Sequence, residues 1–377
     1  MTEATVAENA TTALLGAVLV GGVYADGWAH LNVPGLDTFF TPWHGVLYGG
    51  FALLAGWLAV MVWRRRSRRG GSGSVPAGYG WGVVGVALFA VGGLLDMAWH
   101  LVFGVEAGID ALVSPTHLIL LTGGMVMVSS PLRASAPRRP LGGAPVHRWV
   151  AVVAMATATA LAGFFLSYLS VFVDPAVREP VTSLPEGAPG HRVAELPVVA
   201  GLAGYLVSTL LLVTPLLFLR RRARLPQGAV TALVAAVAIP AAALEQMTFA
   251  VPAAAALVGA ALVDLIVAVR PHLATTVLAG LVPGLVFPAQ LFGLAATDNL
   301  QWPVPLWSGV VGLSVLASLA LALLSRPWTA DSTTVTVTPG PGLAVSAGAA
   351  AVRAPAHNGE PSVTTRSGSR RTARPLA

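Results

Sequence analysis

The sequence predicts an all-α fold, a polytopic bundle of transmembrane helices with about ten spans. Composition is the first reason, because 55% of the 377 residues are hydrophobic and only 10% are charged, whereas a soluble domain has about 25% charged residues. The second reason is that apolar segments of spanning length recur along the chain. The third is that arginine-rich runs follow every second segment, as the positive-inside rule expects.

Ten apolar segments approach the length of roughly 20 residues that a helix needs to cross a bilayer. They cover residues 11–31, 42–63, 80–103, 111–131, 149–172, 196–219, 229–250, 253–269, 273–295 and 305–325. The eighth segment is shorter than the others. The prediction of spans is therefore weakest for the seventh and eighth segments, which together cover residues 229–269. The lipid bilayer is therefore the expected surrounding of most of the chain.

The arginine distribution predicts how the chain is oriented in the membrane. Basic runs occur at 64–69, 133–148 and 220–224 and at Arg270 and Arg326, whereas the opposite loops contain only Arg178 and Arg192. The bias places both termini in the cytoplasm of a multi-pass plasma-membrane protein. The net charge of +6 follows from these runs and does not indicate a nucleic-acid partner.

Changes in composition divide the chain into five regions. The tail is rich in Ser, Thr, Pro, Gly, Ala and Arg, a composition that cannot bury a core and is typical of disorder. The expected regions are a cytoplasmic N-terminus (1–10), a first membrane unit (11–131), a cytoplasmic loop (132–148), a six-span membrane unit (149–325) and a disordered cytoplasmic tail (326–377).

Two residue types are absent, and their absence excludes several kinds of chemistry. The chain has no Lys, so a retinal-type Schiff base is excluded. It has no Cys, so disulfides, thiolate metal sites, iron–sulfur clusters and Cys nucleophiles are excluded. There is no P-loop, no G-x-S-x-G, no H-E-x-x-H and no dinucleotide fingerprint, which leaves ATP-driven transport and serine hydrolysis without support.

The first membrane unit contains an internal repeat that carries ionisable residues. Residues 26–44 and 96–117 share the pattern D-x-x-x-H followed by D-x-x-x-[ST]-P-x-H, and a glycine pair follows each copy. The second copy has three extra residues before its second Asp. The matched polar residues are Asp26, His30, Asp37 and His44 in the first copy and Asp96, His100, Asp110 and His117 in the second.

The spacing of this pattern predicts that the polar residues of each copy converge. Positions i and i+4 share one helix face, which applies to Asp26 with His30 and to Asp96 with His100. The [ST]-P element is typical of a helix start, with the hydroxyl residue at the N-cap and Pro at N1. The final His then lies at N3, where the helix dipole favours a neutral imidazole, the form that binds a metal ion. The expected result is two helix hairpins with one metal each or a shared pair at the outer boundary.

The candidate metal ligands are therefore Asp26, His30, His44, Asp96, His100 and His117. Imidazole and carboxylate without thiolate suit Cu(II), zinc, iron or manganese. Asp37, Asp110 and Glu245 are further candidates, and Asp264 is a candidate for a proton or ion path because it is an intramembrane acid. Two other interpretations stay open: the polar groups cap helices and contact lipid headgroups, or they form an Asp-to-His proton relay without metal.

The pattern D-x-x-x-H followed 14 residues later by His, here Asp26, His30 and His44, resembles the copper-ligand motif in the third subunit of the membrane-bound copper monooxygenases for methane and ammonia. The resemblance covers about 20 residues per copy, and the duplication, Asp37 and Asp110 depart from that family. It implies that a membrane-embedded copper site with one Asp and two His ligands is feasible, so copper is the favoured ion, with zinc or iron as alternatives. The second copy also resembles a pattern, D-x-x-W-H followed by S-P-x-H, of prokaryotic polytopic membrane proteins.

Three functions are compatible with these residues. The first is a metal-dependent membrane oxidoreductase, in which an outward-facing Asp/His site supports redox or oxygenase-type chemistry on a small or lipophilic substrate. The second is a cation- or proton-coupled transporter or metal-handling protein that uses the same residues. The third is a non-catalytic partner of other membrane subunits. Whether the protein is an enzyme stays open at this point.

Overall fold

The computed structural model describes residues 3–36, 39–69, 75–104, 108–134, 145–173 and 176–325. These residues form an all-helical structure with no strand among them. The helices are α1 (Val6–Asn32), α2 (Pro42–Arg69), α3 (Gly80–Phe103), α4 (Ile109–Val113), α5 (Pro115–Val128), α6 (Ser130–Ala134), α7 (Pro145–Phe165), α8 (His191–Ala194), α9 (Leu196–Arg222), α10 (Ala229–Leu244), α11 (Ala250–Val269), α12 (Thr275–Ala295) and α13 (Val304–Leu324).

The predicted fold class is confirmed. Within the described residues, eight helices are long and apolar enough to cross a membrane, and two shorter apolar helices, α5 and α10, accompany them. Each of the ten predicted apolar segments thus corresponds to a helix. Because a membrane core leaves backbone groups without water partners, spanning segments must be helical, which is why hydropathy predicts them well.

The boundaries of the seventh and eighth predicted segments differ from the structure. Helix α10 ends at Leu244, six residues before the predicted end, and α11 begins at Ala250, so the segment expected to be short has 20 residues. The intervening turn contains Gln246 and Met247, whose φ angles are 52° and 63°. Residues with side chains rarely adopt this left-handed conformation. Because Gln and Met are not typical turn residues, hydropathy alone placed the boundary too late.

The two copies of the repeat fold into equivalent helix hairpins, α1 with α2 and α3 with α5. In the first hairpin a Cβ added to Gly50 would lie 2.9 Å from the Cα of Leu19. At the matching point of the second, a Cβ on Gly123 would lie 2.6 Å from the backbone nitrogen of Phe89. A glycine at the same place in each copy therefore lets the two backbones approach closely, as small residues do in membrane helices.

Two helices from the second half, α7 and α10, pack against α1 of the first hairpin. Helix α7 contacts α1, α5 and α10, and α12 packs between α11 and α13. Fully buried Gln290 on α12 accepts a hydrogen bond from the Tyr205 hydroxyl (2.8 Å) and donates to the carbonyl oxygen of Val171 (3.0 Å). This polar link ties α9 and α12 to the segment that follows α7.

Candidate metal centre

The first copy places its three candidates at the C-terminal turns of α1 and the first turn of α2. His30 Nε2 lies 3.8 Å from Asp26 Oδ2, one helical turn away. His44 Nδ1 lies 3.4 Å from Asp26 Oδ1. The N-cap hydroxyl of Thr41 accepts from the His44 backbone amide (3.1 Å) and contacts His44 Nδ1 (3.0 Å). The cap thus fixes the imidazole beside the carboxylate.

The second copy repeats this arrangement with α3 and α5. His100 Nε2 lies 3.6 Å from Asp96 Oδ2, and His117 Nε2 lies 3.5 Å from Asp96 Oδ1. The N-cap hydroxyl of Ser114 contacts His117 Nδ1 at 2.7 Å, as Thr41 does for its His. His100 Nδ1 is 3.3 Å from the carbonyl oxygen of Gly104, a backbone contact of the kind that orients metal-binding imidazoles.

His44 connects the two copies. In two groups of three residues, the candidate ligand atoms all lie within 4.8 Å of one another. The first group is Asp26, His30 and His44; the second is His44, Asp96 and His100. His44 belongs to both groups. The ring centroids follow one another at 5.5 Å from His30 to His44, 6.5 Å from His44 to His100 and 5.9 Å from His100 to His117. The four imidazoles therefore form one continuous row.

All six candidate ligands line a single cavity of about 390 Å³ at one end of the helix bundle. Its remaining wall is largely apolar and comes from several helices. These wall residues include Val23, Leu47, Phe89, Leu120, Leu161, Phe164, Phe165 and Leu244. The structure thus brings the six residues together inside an apolar pocket, and the convergence expected from their spacing is observed.

The two carboxylates have different surroundings. Asp96 is 1% exposed, and its Oδ1 accepts a hydrogen bond from Thr116 Oγ1 at 2.9 Å. Asp26 is 9% exposed, and its Oδ1 is buried without a hydrogen-bond partner among the described residues. The position that matches Thr116 in the first copy is Trp43, which packs edge-on against Trp28 and whose ring nitrogen gives Asp26 no hydrogen bond.

The additional candidates lie outside this cluster or outside the described residues. Asp37 falls outside the part of the chain that the structure describes. Asp110 has an exposed side chain in the short helix α4 and does not line the cavity. Glu245 is the C-cap of α10, directly after the wall residue Leu244, and belongs to neither three-residue group.

Asp264 lies far from the Asp/His cluster and has a structural role as a helix cap. It is 6% exposed on α11, and its carboxylate accepts hydrogen bonds from Val230 N (3.1 Å), Thr231 N (2.8 Å) and Thr231 Oγ1 (2.7 Å). It therefore caps the N-terminus of α10 from a neighbouring helix. The cavity lies at the opposite end of α10, about 22 Å away at 1.5 Å per residue.

Sequence reasoning missed three contributors to the site. Thr116 follows the Pro of the S-P-T-H motif, so a hydroxyl residue beside a candidate ligand was a readable signal. Tyr48 lies one turn after His44, its ring 6.2 Å from that imidazole, and the i+4 spacing could have identified it. Phe164 packs over Gly27, where an added Cβ would lie 2.3 Å from the ring, and nothing in the sequence linked α7 to the site.

The described residues thus contain an Asp/His cluster that could hold a metal ion, in a chain with several apolar helices. Comparisons of the chain with protein-family models, curated proteins and solved structures find no match.

Proposed function

We propose that this membrane protein binds a transition metal ion, with copper favoured, at its Asp/His cluster and uses the ion for redox or oxygenase-type chemistry on a small or lipophilic substrate. One observation carries the proposal: six ionisable side chains from two duplicated hairpins converge on one apolar cavity. Ionisable groups inside a membrane bundle are costly and are retained mainly at functional sites.

The separations within the cluster suit a metal ion better than direct hydrogen bonds. The imidazole nitrogens and carboxylate oxygens lie 3.4–3.8 Å apart, whereas a hydrogen bond of this kind is about 2.7–3.2 Å long. Two ligands bound tetrahedrally at roughly 2.1 Å from one ion lie about 3.4 Å from each other. A bound cation would therefore fit between these groups with small side-chain movements.

The donor set limits the choice of metal. Imidazole nitrogen and carboxylate oxygen suit copper, zinc, iron and manganese, and copper has the highest affinity among the divalent ions of this series. Copper is also the ion that the resemblance of Asp26, His30 and His44 implies. We therefore take copper as the first candidate and treat zinc or iron as alternative results of metal analysis.

The apolar wall of the cavity supports the oxidoreductase proposal. A small lipophilic substrate would be stabilised by side chains such as Leu47, Phe89 and Leu161. For monooxygenation, dioxygen is the oxidant, and an external donor supplies two electrons. One oxygen atom enters a C–H bond of the substrate, and the other leaves as water with two protons.

Transport of a cation or proton is the second candidate, and the row of four imidazoles favours it. The side chains of His30 and His117 are 30% and 23% exposed, which gives the row access to the exterior of the bundle. Asp264, the acid expected farther along such a path, is engaged by three donors as a helix cap. We therefore rank transport second.

Orientation and assembly are part of the same proposal. Arginine runs between spans support cytoplasmic termini in a plasma membrane, with the cavity at the outer end. We further propose the division into a metal-binding unit (11–131) and a six-span unit (149–325), with other membrane subunits as partners of either unit.

Metal analysis of the purified full-length protein tests the proposal. We expect copper in the wild type, and a loss of most of it in the double variant His30→Ala/His100→Ala. The matched control is His272→Ala, which removes an exposed imidazole outside the cluster. The absence of bound transition metal from the wild type, or equal metal in the double variant, would refute it.

Spectroscopy and flux measurements separate the two functions. A Cu(II) electron paramagnetic resonance signal that disappears on reduction supports redox chemistry. A zinc ion without a redox signal, together with ion flux into proteoliposomes that the double variant lacks, supports transport instead.

A further inference from the structure

The duplicated sequence suggests two equivalent metal sites, but the Oδ1 atoms of the two carboxylates differ in their hydrogen bonding. Asp96 Oδ1 already accepts the Thr116 hydroxyl at 2.9 Å. Asp26 Oδ1 is buried and has no hydrogen-bond partner among the described residues. Buried polar atoms without partners are rare and costly. The first copy is therefore the one whose carboxylate has a buried oxygen without a hydrogen-bond partner.

The groups nearest to Asp26 are suited to hold a cation with it. His30 Nε2 and His44 Nδ1 approach its two carboxylate oxygens at 3.8 and 3.4 Å. A carboxylate with two neutral imidazoles is a familiar set of protein ligands for a divalent transition metal. A cation between them would supply the partner that Asp26 Oδ1 lacks.

His44 prevents the two copies from acting independently. It is a member of both three-residue groups, so an ion that takes His44 in the first copy leaves the second group with Asp96 and His100. The remaining neighbour, His117, faces Asp96 Oδ1 at 3.5 Å, the oxygen that already accepts the Thr116 hydroxyl. The short distances between neighbouring imidazoles also bring two dications close together in an apolar cavity, where their repulsion is weakly screened.

We propose that the cluster binds one metal ion per chain, held by Asp26, His30 and His44, and that the second copy positions this first set without holding an ion of its own. This inference rests on the proposed metal function. In this arrangement Thr116 fixes Asp96, and Asp96 in turn orients His100 and His117 along the cavity wall. The duplication has thus produced one metal-binding copy and one supporting copy.

Matched variants from the two copies test this assignment. His30→Gln and His117→Gln each remove one partly exposed imidazole, one from each copy, so both proteins should fold. Asp26→Asn and Asp96→Asn, at matching positions of the repeat, form the second pair. We expect about one ion per wild-type chain, as for a site with three protein ligands. His30→Gln and Asp26→Asn should lose it to a mild chelator. His117→Gln and Asp96→Asn should keep the ion, with affinity lowered by about tenfold, as changes around bound ligands commonly do.

The possible outcomes are distinguishable. Two ions per chain, or loss of the ion in His117→Gln equal to that in His30→Gln, would overturn the single-site assignment while leaving the metal function standing. The same holds if only Asp96→Asn and His117→Gln lose metal, because the roles of the copies would then be reversed. A wild-type chain without any transition metal would overturn the proposed function itself.

Discussion

At the scale of single residues, the hydroxyl of Thr116 is the contact that distinguishes the two carboxylates. It donates to Asp96 Oδ1 in a buried position on α5. In Thr116→Val this acceptor loses its donor, and we expect the free energy of unfolding to fall by about 1–3 kcal/mol. Thermal unfolding in detergent measures the change.

Thr122→Val on the same helix is the control. The Thr122 hydroxyl is exposed and donates only to the carbonyl oxygen of Leu118, four residues earlier. Its removal should change stability by no more than about 0.5 kcal/mol. Equal effects of the two substitutions would show that the Thr116 contact does not hold Asp96.

The residues of the site show what the sequence can and cannot reveal. The spacing of Asp26, His30 and His44 was sufficient to predict their convergence, because helix periodicity and the N-cap position are local properties. The sharing of His44 between the copies was not predictable, because it depends on how the two hairpins pack. The unequal carboxylates likewise required the contact between α3 and α5 that places Thr116 against Asp96.

At the scale of helices, the close approach of α1 and α2 sets the distance between Asp26 and His44. A Cβ at Gly50 would lie 2.9 Å from the Leu19 backbone, so the substitution Gly50→Ala must push the two helices apart. We expect destabilisation of about 1–3 kcal/mol from overpacking and a reduced metal content. Unfolding and metal analysis of one preparation give both values.

The adjacent glycine offers a matched control. A Cβ at Gly49 would meet no described atom within 4 Å, so Gly49→Ala should be neutral or stabilising by up to about 1 kcal/mol, since Ala is the better helix former. If Gly50→Ala behaves like Gly49→Ala, the hairpin does not depend on this close contact.

Asp264 on α11 caps the N-terminus of α10. A capping role predicts that its removal changes stability, whereas a role in an ion path predicts that its removal changes ion flux. Asp264→Ala removes the acceptor for three donors on Val230 and Thr231. We expect the free energy of unfolding to fall by about 1–3 kcal/mol, while the metal content of the folded fraction stays at the wild-type value. Thr231→Val, which removes one of the three donors, should have a smaller effect. Loss of ion flux in an Asp264→Ala protein of unchanged stability would instead favour a transport path.

At the scale of the whole molecule, hydropathy predicted the helices more reliably than their ends. Every predicted segment contains a helix, since the membrane interior requires internal backbone hydrogen bonding. The ends depend on local turns, and the turn between α10 and α11 uses Gln246 and Met247 at positive φ, residues that do not usually mark turns. The placement of α7 against α1 depends on packing and was not readable from hydropathy.

The orientation of the bundle can be tested directly because the chain contains no Cys. Single cysteines introduced at exposed Ser183, in the loop before α8, and at exposed Ser67, near the end of α2, should react on opposite sides of the membrane. If the arginine runs face the cytoplasm, a membrane-impermeant thiol reagent labels Ser183→Cys in intact cells and labels Ser67→Cys only after the membrane is opened. The Cys-free wild type supplies the background. The reverse labelling pattern would place the Asp/His cavity on the cytoplasmic side, where the metal, its electron donor and its substrate would all have to come from inside the cell.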